Sequence, residues 1–198
     1  TPKEKEKLVY EFNQTDLEYD KTKPIIKYFE EQAEKEPDKI ALICNNKKIT
    51  YGELNEKSTK LAFKLKEFDI KENDIVGIMI NRSVEMVIGI FAILKADATY
   101  LPIDPEYPLE RINYMIADSN AKVVLIDDKI KKDDFKNCLL VNVNEQINYE
   151  CSGIIKTKVT NQDNRIVYLI YTSGSTGKPK GVRITNNNLN NFVFGMKQ

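Results

Sequence analysis

The sequence predicts an α/β fold in which βαβ units build a mainly parallel sheet. Three runs that are apolar almost throughout give the strand signal, at residues 74–80, 123–126 and 165–171. Amphipathic stretches with the length of ordinary helices separate these runs, and this alternation is typical of βαβ units. Because strands of a parallel sheet are buried on both faces, they are continuously apolar rather than alternating. A sheet covered on more than one side is therefore expected.

The chain divides into an arm and one larger unit. Residues 1–22 are charged and lack a hydrophobic period, which indicates a linker or arm, and the organised unit is expected over residues 23–198. The longest apolar run, residues 86–94, is far shorter than the ~20 residues that a membrane-spanning helix needs. It predicts a buried helix and no membrane partner.

The other elements follow from prolines, caps and hydrophobic periods. In chain order we expect a helix between Pro24 and Pro37, strands at 40–44 and 48–50 around a turn at Asn45-Asn46, a helix that begins with a capping box of Thr50 and Glu53, a helix from Ser83 to about Lys95, a strand at 99–102, a helix after Pro108, a strand at 139–141 and a last helix from about Asn186.

Charge and residue usage exclude several classes of protein. Lys and Arg total 30 and Asp and Glu total 30, so no basic excess indicates a nucleic-acid partner. The chain has no His, which removes the commonest metal ligand and general base. The three Cys, at 44, 138 and 151, are odd in number and form no CxxC pair. Free thiols in a cytoplasmic protein are therefore expected, without a disulfide or a metal site.

The segment 172–181 is the strongest functional signal in the chain. It contains three of the eight Gly residues, at 174, 177 and 181. Gly lets the backbone turn sharply and approach a ligand closely, so that successive N–H groups can surround an anion. Hydroxyl and ammonium groups add further donors. The residues expected to contact a polyphosphate are Thr172, Ser173, Gly174, Ser175, Thr176, Gly177, Lys178 and Lys180.

Two other nucleotide motifs do not match this loop. A Walker loop requires Ser or Thr after its Lys, whereas Pro179 follows Lys178, and the pattern Gly-x-Gly-x-x-Gly is missing. A flexible Gly/Ser linker is the alternative. The apolar strand before the loop and the two Lys within it favour a phosphate site.

Three polar or aromatic clusters are interpreted as structural. The pairs at 127–128 and 133–134 are Asp-Asp, but Lys residues surround them, so a solvated loop is favoured over a metal site. Tyr residues at 100, 107 and 114 share no face, which favours ordinary packing over a stacking surface. The Asn residues within 186–191 compete with the backbone for hydrogen bonds and are expected to weaken the start of the last helix.

Twelve consecutive residues, Tyr171-Thr-Ser-Gly-Ser-Thr-Gly-Lys-Pro-Lys-Gly-Val182, resemble the signature loop of the adenylate-forming superfamily. That superfamily includes acyl-CoA synthetases, luciferases and the adenylation domains of nonribosomal peptide synthetases. Within it, Pro102-Ile-Asp-Pro-Glu-Tyr-Pro108 and Thr50-Tyr-Gly-Glu-Leu-Asn55 are similar to core motifs of the peptide-synthetase domains, and Phe12-Asn-Gln-Thr15 resembles the junction after a condensation domain. The chain thus resembles an incomplete N-terminal subdomain of an amino-acid adenylation domain.

This resemblance implies a ligase that activates an amino acid. In the family, the substrate carboxylate attacks the α-phosphorus of ATP, with Mg²⁺ present, and yields an aminoacyl-adenylate and pyrophosphate. The phosphopantetheine thiol of a carrier protein then accepts the aminoacyl group. Phosphate contacts are implied for residues 172–177 and for Lys180, which is assigned as the catalytic residue. The implied partners are the remainder of the adenylation domain, the carrier protein and the condensation domain of an antibiotic synthetase.

The chain departs from the family pattern in three respects. Asp97-Ala98 stands where Gly-Gly is usual, and Asn186 stands where His is usual. The residues that the family uses to grip the amino acid, the Mg²⁺ ligand, the ribose ligand and a late catalytic Lys are all expected beyond Gln198. The chain alone is therefore expected to be inactive. An acyl-CoA or aryl-acid ligase, and a non-catalytic nucleotide-binding module, stay open as alternatives.

Overall fold

The computed structural model of the protein describes residues 1–130, 135, 138–146, 165–173 and 178–196. In chain order the elements are α1 (Pro2–Val9), a 3₁₀ turn (Glu11–Asn13), α2 (Ile25–Lys35), β1 (Ile40–Cys44), β2 (Lys47–Thr50), α3 (Tyr51–Glu67), β3 (Ile75–Met79), α4 (Val84–Lys95), β4 (Thr99–Pro102), α5 (Leu109–Ser119), β5 (Val123–Ile126), β6 (Leu139–Asn142), α6 (Val143–Gln146), β7 (Ile166–Thr172), β8 (Lys180–Thr185) and α7 (Asn186–Gly195).

A six-stranded sheet lies at the centre, with the strand order β6-β5-β3-β4-β7-β8. Neighbouring strands are parallel except for β7 and β8, which are antiparallel. Strands β1 and β2 form a separate antiparallel hairpin. The predicted α/β class with a mainly parallel sheet is confirmed.

Alternate residues of the central strands enter two different cores. On β5, Val123 and Leu125 pack in a core with α3 and α4, whereas Val124 and Ile126 pack in a core with α5. None of these four side chains is more than 1% exposed. Helices therefore cover both faces of the sheet, which explains why its strands are apolar throughout rather than alternating.

The predicted caps and turns of the N-terminal half are present. Asn45 and Asn46, with φ of 48° and 64°, form the two-residue turn of the first hairpin. The Thr50 hydroxyl accepts from the Glu53 amide, and the Glu53 carboxylate accepts from the Thr50 amide, so a complete capping box begins α3. The Ser83 hydroxyl accepts from the amide of Met86 and caps α4.

Four elements were not part of the predicted pattern: α1, the 3₁₀ turn, α6 and β8. The arm at residues 1–22 contains α1, which a capping box begins and which buries none of its residues. Strand β8 overlaps the end of the predicted loop at 172–181 and fills the interval before the last helix, where no strand was predicted. Its first four residues are exposed, and it ends the sheet as an edge strand. Edge strands carry charged residues for protection against pairing, and this weakens their hydrophobic signal.

A partly buried ion pair holds the turn after α4. Asp97 adopts the left-handed conformation with a φ of 61°, at the position where the family pattern that the sequence resembles has Gly. Its Oδ1 accepts a hydrogen bond of 2.9 Å from Nη1 of Arg165, whose side chain is 8% exposed. Nη2 of the same guanidinium lies 3.4 Å from the carbonyl oxygens of Leu94 and Ala98. The ion pair therefore ties the end of α4 to the start of β7.

One ammonium group is buried between α3 and α4. Lys95 is 1% exposed, and its Nζ donates to the carbonyl oxygen of Asn55 at 2.7 Å, to Asn55 Oδ1 at 2.6 Å and to Thr59 Oγ1 at 2.7 Å. These acceptors match the three donors of an ammonium. Burial nevertheless lowers the pKa of Lys95 from 10.5 to about 7, because the attraction of Glu30 offsets the lost hydration only in part.

We expect Asp97→Gly to lower the free energy of unfolding by about 2 kcal/mol. Loss of one partner of a buried pair costs about 3–5 kcal/mol, and relief of the left-handed backbone offsets about 1–2 kcal/mol. Asp97→Ala keeps the backbone strain and should be less stable by about 1 kcal/mol more. Urea denaturation measures both. Asp69, with a φ of 57° and a side chain 76% exposed, is the control, since Asp69→Gly should lose no stability. Equal effects at both sites would contradict a contribution from the ion pair.

We expect Lys95 to make stability depend on pH above neutrality. An unfolded Lys keeps its proton up to pH 10.5, whereas folded Lys95 releases it near pH 7, so the unfolded state binds more protons between these values. The free energy of unfolding should therefore rise with pH by about 1 kcal/mol per pH unit from pH 7.5 to 9, relative to Lys95→Met. Urea denaturation at several pH values tests this. Parallel profiles for wild type and Lys95→Met would show that Lys95 does not titrate in this window.

Candidate phosphate-binding site

The carboxyl ends of β3, β4 and β7 meet at one edge of the sheet and border a cavity of about 800 Å³. Apolar side chains form its floor, among them Ile78, Ile103 and Ile170, and polar side chains such as Arg82 and Asp104 lie around them. In open α/β sheets, ligands bind in the crevice outside the carboxyl ends of the strands. This edge is therefore the region where a ligand is expected.

The two ends of the predicted phosphate loop lie at this edge. Strand β7 ends at Thr172 and β8 begins at Lys180, and these two residues are paired across the antiparallel ladder. Ser173 and Lys178 are exposed, as are both paired residues. The loop is thus the connection of a β-hairpin and does not precede a helix. The remaining predicted contacts lie outside the described residues: Gly174, Ser175, Thr176 and Gly177.

Lys178 and Lys180 supply positive charge on the returning side of the hairpin. Within the described ranges, neither ammonium forms a salt bridge with a carboxylate. Two cations beside the hydroxyl groups of Thr172 and Ser173 favour a multiply charged anion, because charge-assisted hydrogen bonds are the stronger ones. This set of donors fits the phosphate groups of a nucleotide.

Helix α5 contacts both ends of the hairpin connection. Tyr171 is 7% exposed, and its hydroxyl group donates a hydrogen bond of 2.6 Å to Asp118 Oδ2. The ring of Tyr114 meets that of Tyr171 edge-on, with centroids 6.4 Å apart and planes at 81°. The Tyr114 hydroxyl oxygen lies 3.4 Å from the carbonyl oxygen of Pro179 and 3.4 Å from Asp118 Oδ1. Burial, and then the hydrogen bond to the Asp118 carboxylate, raise the pKa of Tyr171.

The acidic pair at 127–128 is engaged by amide groups. Asp127 accepts hydrogen bonds from Asn81, and Asp128 accepts from Asn142 and Asn144. Among the described residues, no group of three or more His, Cys, Asp or Glu could hold a metal ion. The pair at 133–134 lies outside the described residues. The ligands of Mg²⁺ stay a prediction for residues beyond this chain.

Comparison with known proteins identifies the family. Residues 29–198 match the AMP-binding enzyme family. This chain belongs to the AMP-binding enzymes. Bacitracin synthase 3 of Bacillus licheniformis is 42% identical to it over 195 residues, which are 98% of this chain and 3% of that protein. The AMP-binding chain therefore spans a small part of this relative's length.

Two solved structures share the fold of this AMP-binding chain. The N-terminal subdomain of Klebsiella oxytoca NpsA, in complex with 3-hydroxybenzoyl-AMSN, is 30% identical with a TM-score of 0.71, over 83% of this chain and 41% of that chain. The O-succinylbenzoate coenzyme A synthetase MenE of Bacillus subtilis, in complex with AMP, is 26% identical with a TM-score of 0.73, over 82% of this chain and 42% of that chain. The fold is that of the N-terminal domain of adenylate-forming enzymes.

Asn186 of this AMP-binding enzyme anchors α7, which follows the hairpin. It is 2% exposed, and its Oδ1 accepts from the Ile25 amide at 2.9 Å while its Nδ2 donates to the Lys23 carbonyl oxygen at 3.1 Å. Asn190 donates to the same carbonyl oxygen, and Asn188 completes a capping box with Thr185. The prediction that the Asn tract weakens the start of α7 is wrong, because these amides cap the helix and join it to the segment before α2.

The three Tyr residues share no single surface and have separate ring contacts. Tyr100 stacks on Tyr168 with centroids 5.2 Å apart, and the Tyr107 ring lies 4.1 Å from the guanidinium carbon of Arg111. Sequence analysis did not identify Tyr114 and Asp118 as neighbours of the loop. Their spacing of four residues, which places both on one helix face, is the available signal.

Within the described part of the chain, no helix is long and apolar enough to cross a membrane.

Proposed function

We propose that this chain takes part in the ATP-dependent activation of an amino acid as an aminoacyl-adenylate. The observation that carries the proposal is the hairpin connection between Thr172 and Lys180, with two exposed Lys at the ligand edge of an AMP-binding enzyme fold. Its similarity to bacitracin synthase 3, a protein named for the synthesis of bacitracin, supports an amino acid as the substrate. Since the chain covers 3% of that relative, the activity of the whole protein is part of the proposal.

The chemistry assigned to these residues is binding and electrostatic stabilisation. A carboxylate oxygen of the amino acid forms a bond to the α-phosphorus of ATP, and the bond between that phosphorus and the bridging oxygen to the β-phosphorus breaks. Pyrophosphate leaves with the electron pair and gains negative charge. Lys178 and Lys180, with the hydroxyls of Thr172 and Ser173, hold the β- and γ-phosphates, and Lys180 stabilises the departing pyrophosphate. No proton transfer by these side chains is required.

The second step of the proposed function requires partners. The phosphopantetheine thiol of a carrier protein attacks the carbonyl carbon of the aminoacyl-adenylate and releases AMP. We assign the carrier protein, a condensation domain and the remainder of the adenylation domain as partners in the cytoplasm, with Mg²⁺ bound by residues outside this chain. The Phe12-Asn-Gln-Thr15 segment, which resembles a condensation-domain junction, supports this arrangement.

An acyl-CoA or aryl-acid ligase is the second candidate. MenE is named as a coenzyme A synthetase, and NpsA is bound to a hydroxybenzoyl compound. The amino-acid substrate is favoured because the segment at 102–108 resembles the peptide-synthetase motif and identity to bacitracin synthase 3 is 42%. A non-catalytic nucleotide-binding module is the third candidate, and it would bind ATP without any exchange activity in a longer protein that contains this chain.

We expect this chain alone not to catalyse amino-acid-dependent exchange of pyrophosphate into ATP. The sequence lacks the Mg²⁺ ligand, the ribose ligand and the late Lys that the resemblance assigns to later positions. The measurement is exchange of labelled pyrophosphate with each of the twenty amino acids. Lys180→Ala is the control for background. Exchange well above that background would contradict the expected inactivity.

We expect the chain to bind pyrophosphate weakly, with a dissociation constant on the order of 1 mM, or about −4 kcal/mol. Lys180→Ala should weaken binding about tenfold or more, since it removes one charge-assisted contact. Titration of backbone amide shifts by NMR provides the measurement, and affinity should fall as salt is added. Lys66→Ala is a matched control, because Lys66 is exposed at the end of α3, at the opposite edge of the sheet.

The control defines the outcomes of this test. If Lys66→Ala weakens binding as much as Lys180→Ala does, attraction by overall charge accounts for the affinity. If pyrophosphate shifts amides elsewhere but not those of Thr172, Ser173, Lys178 and Lys180, the phosphate site has been assigned to the wrong place.

A further inference from the structure

Both ends of the hairpin connection are held by one face of α5. Tyr171 precedes the connection and Pro179 lies at its end, between Lys178 and Lys180. The Asp118 carboxylate accepts a hydrogen bond of 2.6 Å from the Tyr171 hydroxyl, and the Tyr114 hydroxyl oxygen lies 3.4 Å from the Pro179 carbonyl oxygen. Helix α5 itself is fixed to the sheet by Ile112, Met115 and Ile116, which are at most 3% exposed. A rigid element therefore contacts both ends.

Packing of the helix does not explain the carboxylate at position 118. Asp118 is exposed, and within the described residues no Lys or Arg forms a salt bridge with it. Its hydrogen-bond donors are instead two tyrosine hydroxyls, from Tyr171 and Tyr114. A hydrogen bond to a charged acceptor is stronger and more directional than one between neutral groups. This carboxylate thus fixes the orientation of the Tyr171 ring.

Tyr114 couples the two ends to each other. Its ring contacts the Tyr171 ring edge-on, and its hydroxyl oxygen is equally distant from Pro179 and from Asp118. Because a hydroxyl has one proton, it donates to one of these acceptors at a time. When it donates to Pro179, it holds the chain directly between the two Lys of the site. Pro179 has no N–H of its own to form a ladder hydrogen bond there.

We propose that Asp118 and Tyr114 are positioning residues that act through Tyr171 and Pro179 to hold the phosphate-binding hairpin in its binding arrangement. The proposal rests on the proposed function of this hairpin as the phosphate site. Fixing both ends reduces the ordering that a ligand must impose on binding, and this raises affinity without any contact to the ligand. Asp118 and Tyr114 both lie on α5, and through them this helix would affect phosphate binding at the carboxyl ends of the strands.

Two measurements on the same variants test this proposal. The variants are Asp118→Ala, Asp118→Asn and Tyr171→Phe, of which the last two preserve side-chain volume. Tyr168→Phe is the matched control, because Tyr168 lies on the same strand and its ring contact is with Tyr100. The first measurement is hydrogen exchange of the amides of Thr172, Ser173, Lys178 and Lys180 without ligand. The second is the dissociation constant for pyrophosphate.

We expect Asp118→Ala and Tyr171→Phe to speed exchange at these four amides at least about fivefold, with amides of β3 and β5 unchanged. The dissociation constant should rise about three- to tenfold, and Asp118→Asn, which keeps an acceptor oxygen, should restore part of both effects. Tyr168→Phe should change neither. Unchanged exchange at the hairpin ends, or faster exchange spread evenly over the sheet, would overturn the positioning role.

The binding measurement separates this proposal from the proposed function. If the wild type binds pyrophosphate and Asp118→Ala binds it equally well while its hairpin ends exchange faster, the positioning role in phosphate binding is overturned. If the wild type does not bind pyrophosphate at all, the proposed phosphate site fails. Exchange at the hairpin ends then still decides whether the contact of Asp118 with Tyr171 holds them.

Discussion

The antiparallel pairing of β8 with β7 is the constraint on which the candidate site depends. A parallel neighbour would require a crossover of a dozen or more residues, and the ends of the connection would lie at opposite edges of the sheet. The antiparallel pair instead returns the chain at the carboxyl edge and sets Lys180 directly across from Thr172. The hydroxyl groups before the connection and the ammonium groups after it therefore lie on one edge, where the parallel strands β3 and β4 also end.

Strand β8 also shows why part of the fold was not predictable from sequence. The buried strands have a continuous apolar run because each of their faces packs against helices, and their positions were predicted correctly. Strand β8 has one neighbour, and only Val182 and Ile184 give it an apolar alternation among Gly, Lys, Arg and Thr. The same Lys that gives the strand a weak hydrophobic signal supplies charge to the site. The contact of Asp118 with Tyr171 joins residues 53 positions apart and exists only after the sheet has formed.

Two of the three departures from the family pattern, at Asp97 and Asn186, are compensated by tertiary contacts. Asp97 occupies a left-handed position that favours Gly, and the guanidinium of Arg165 satisfies its carboxylate. Asn186 replaces a family His, and it uses both ends of its amide to bond backbone groups of Lys23 and Ile25. In each case the sequence identified an unusual residue, but its partner came from a distant segment. The family pattern thus located these two positions but did not predict the contacts that their side chains make.

The charge distribution explains how a neutral chain presents a local pair of cations at the candidate site. Equal numbers of acidic and basic residues cancel over the whole molecule, and several ion pairs of the described residues lie within or beside helices. Lys178 and Lys180 form no ion pair with a carboxylate among the residues that the structure describes, and the acidic group placed beside them is Asp118, which the Tyr114 hydroxyl contacts together with Pro179. At physiological ionic strength, charges farther than about 8 Å apart are largely screened. For the anion binding proposed at this edge, the local pair of cations therefore matters more than the net charge of the chain.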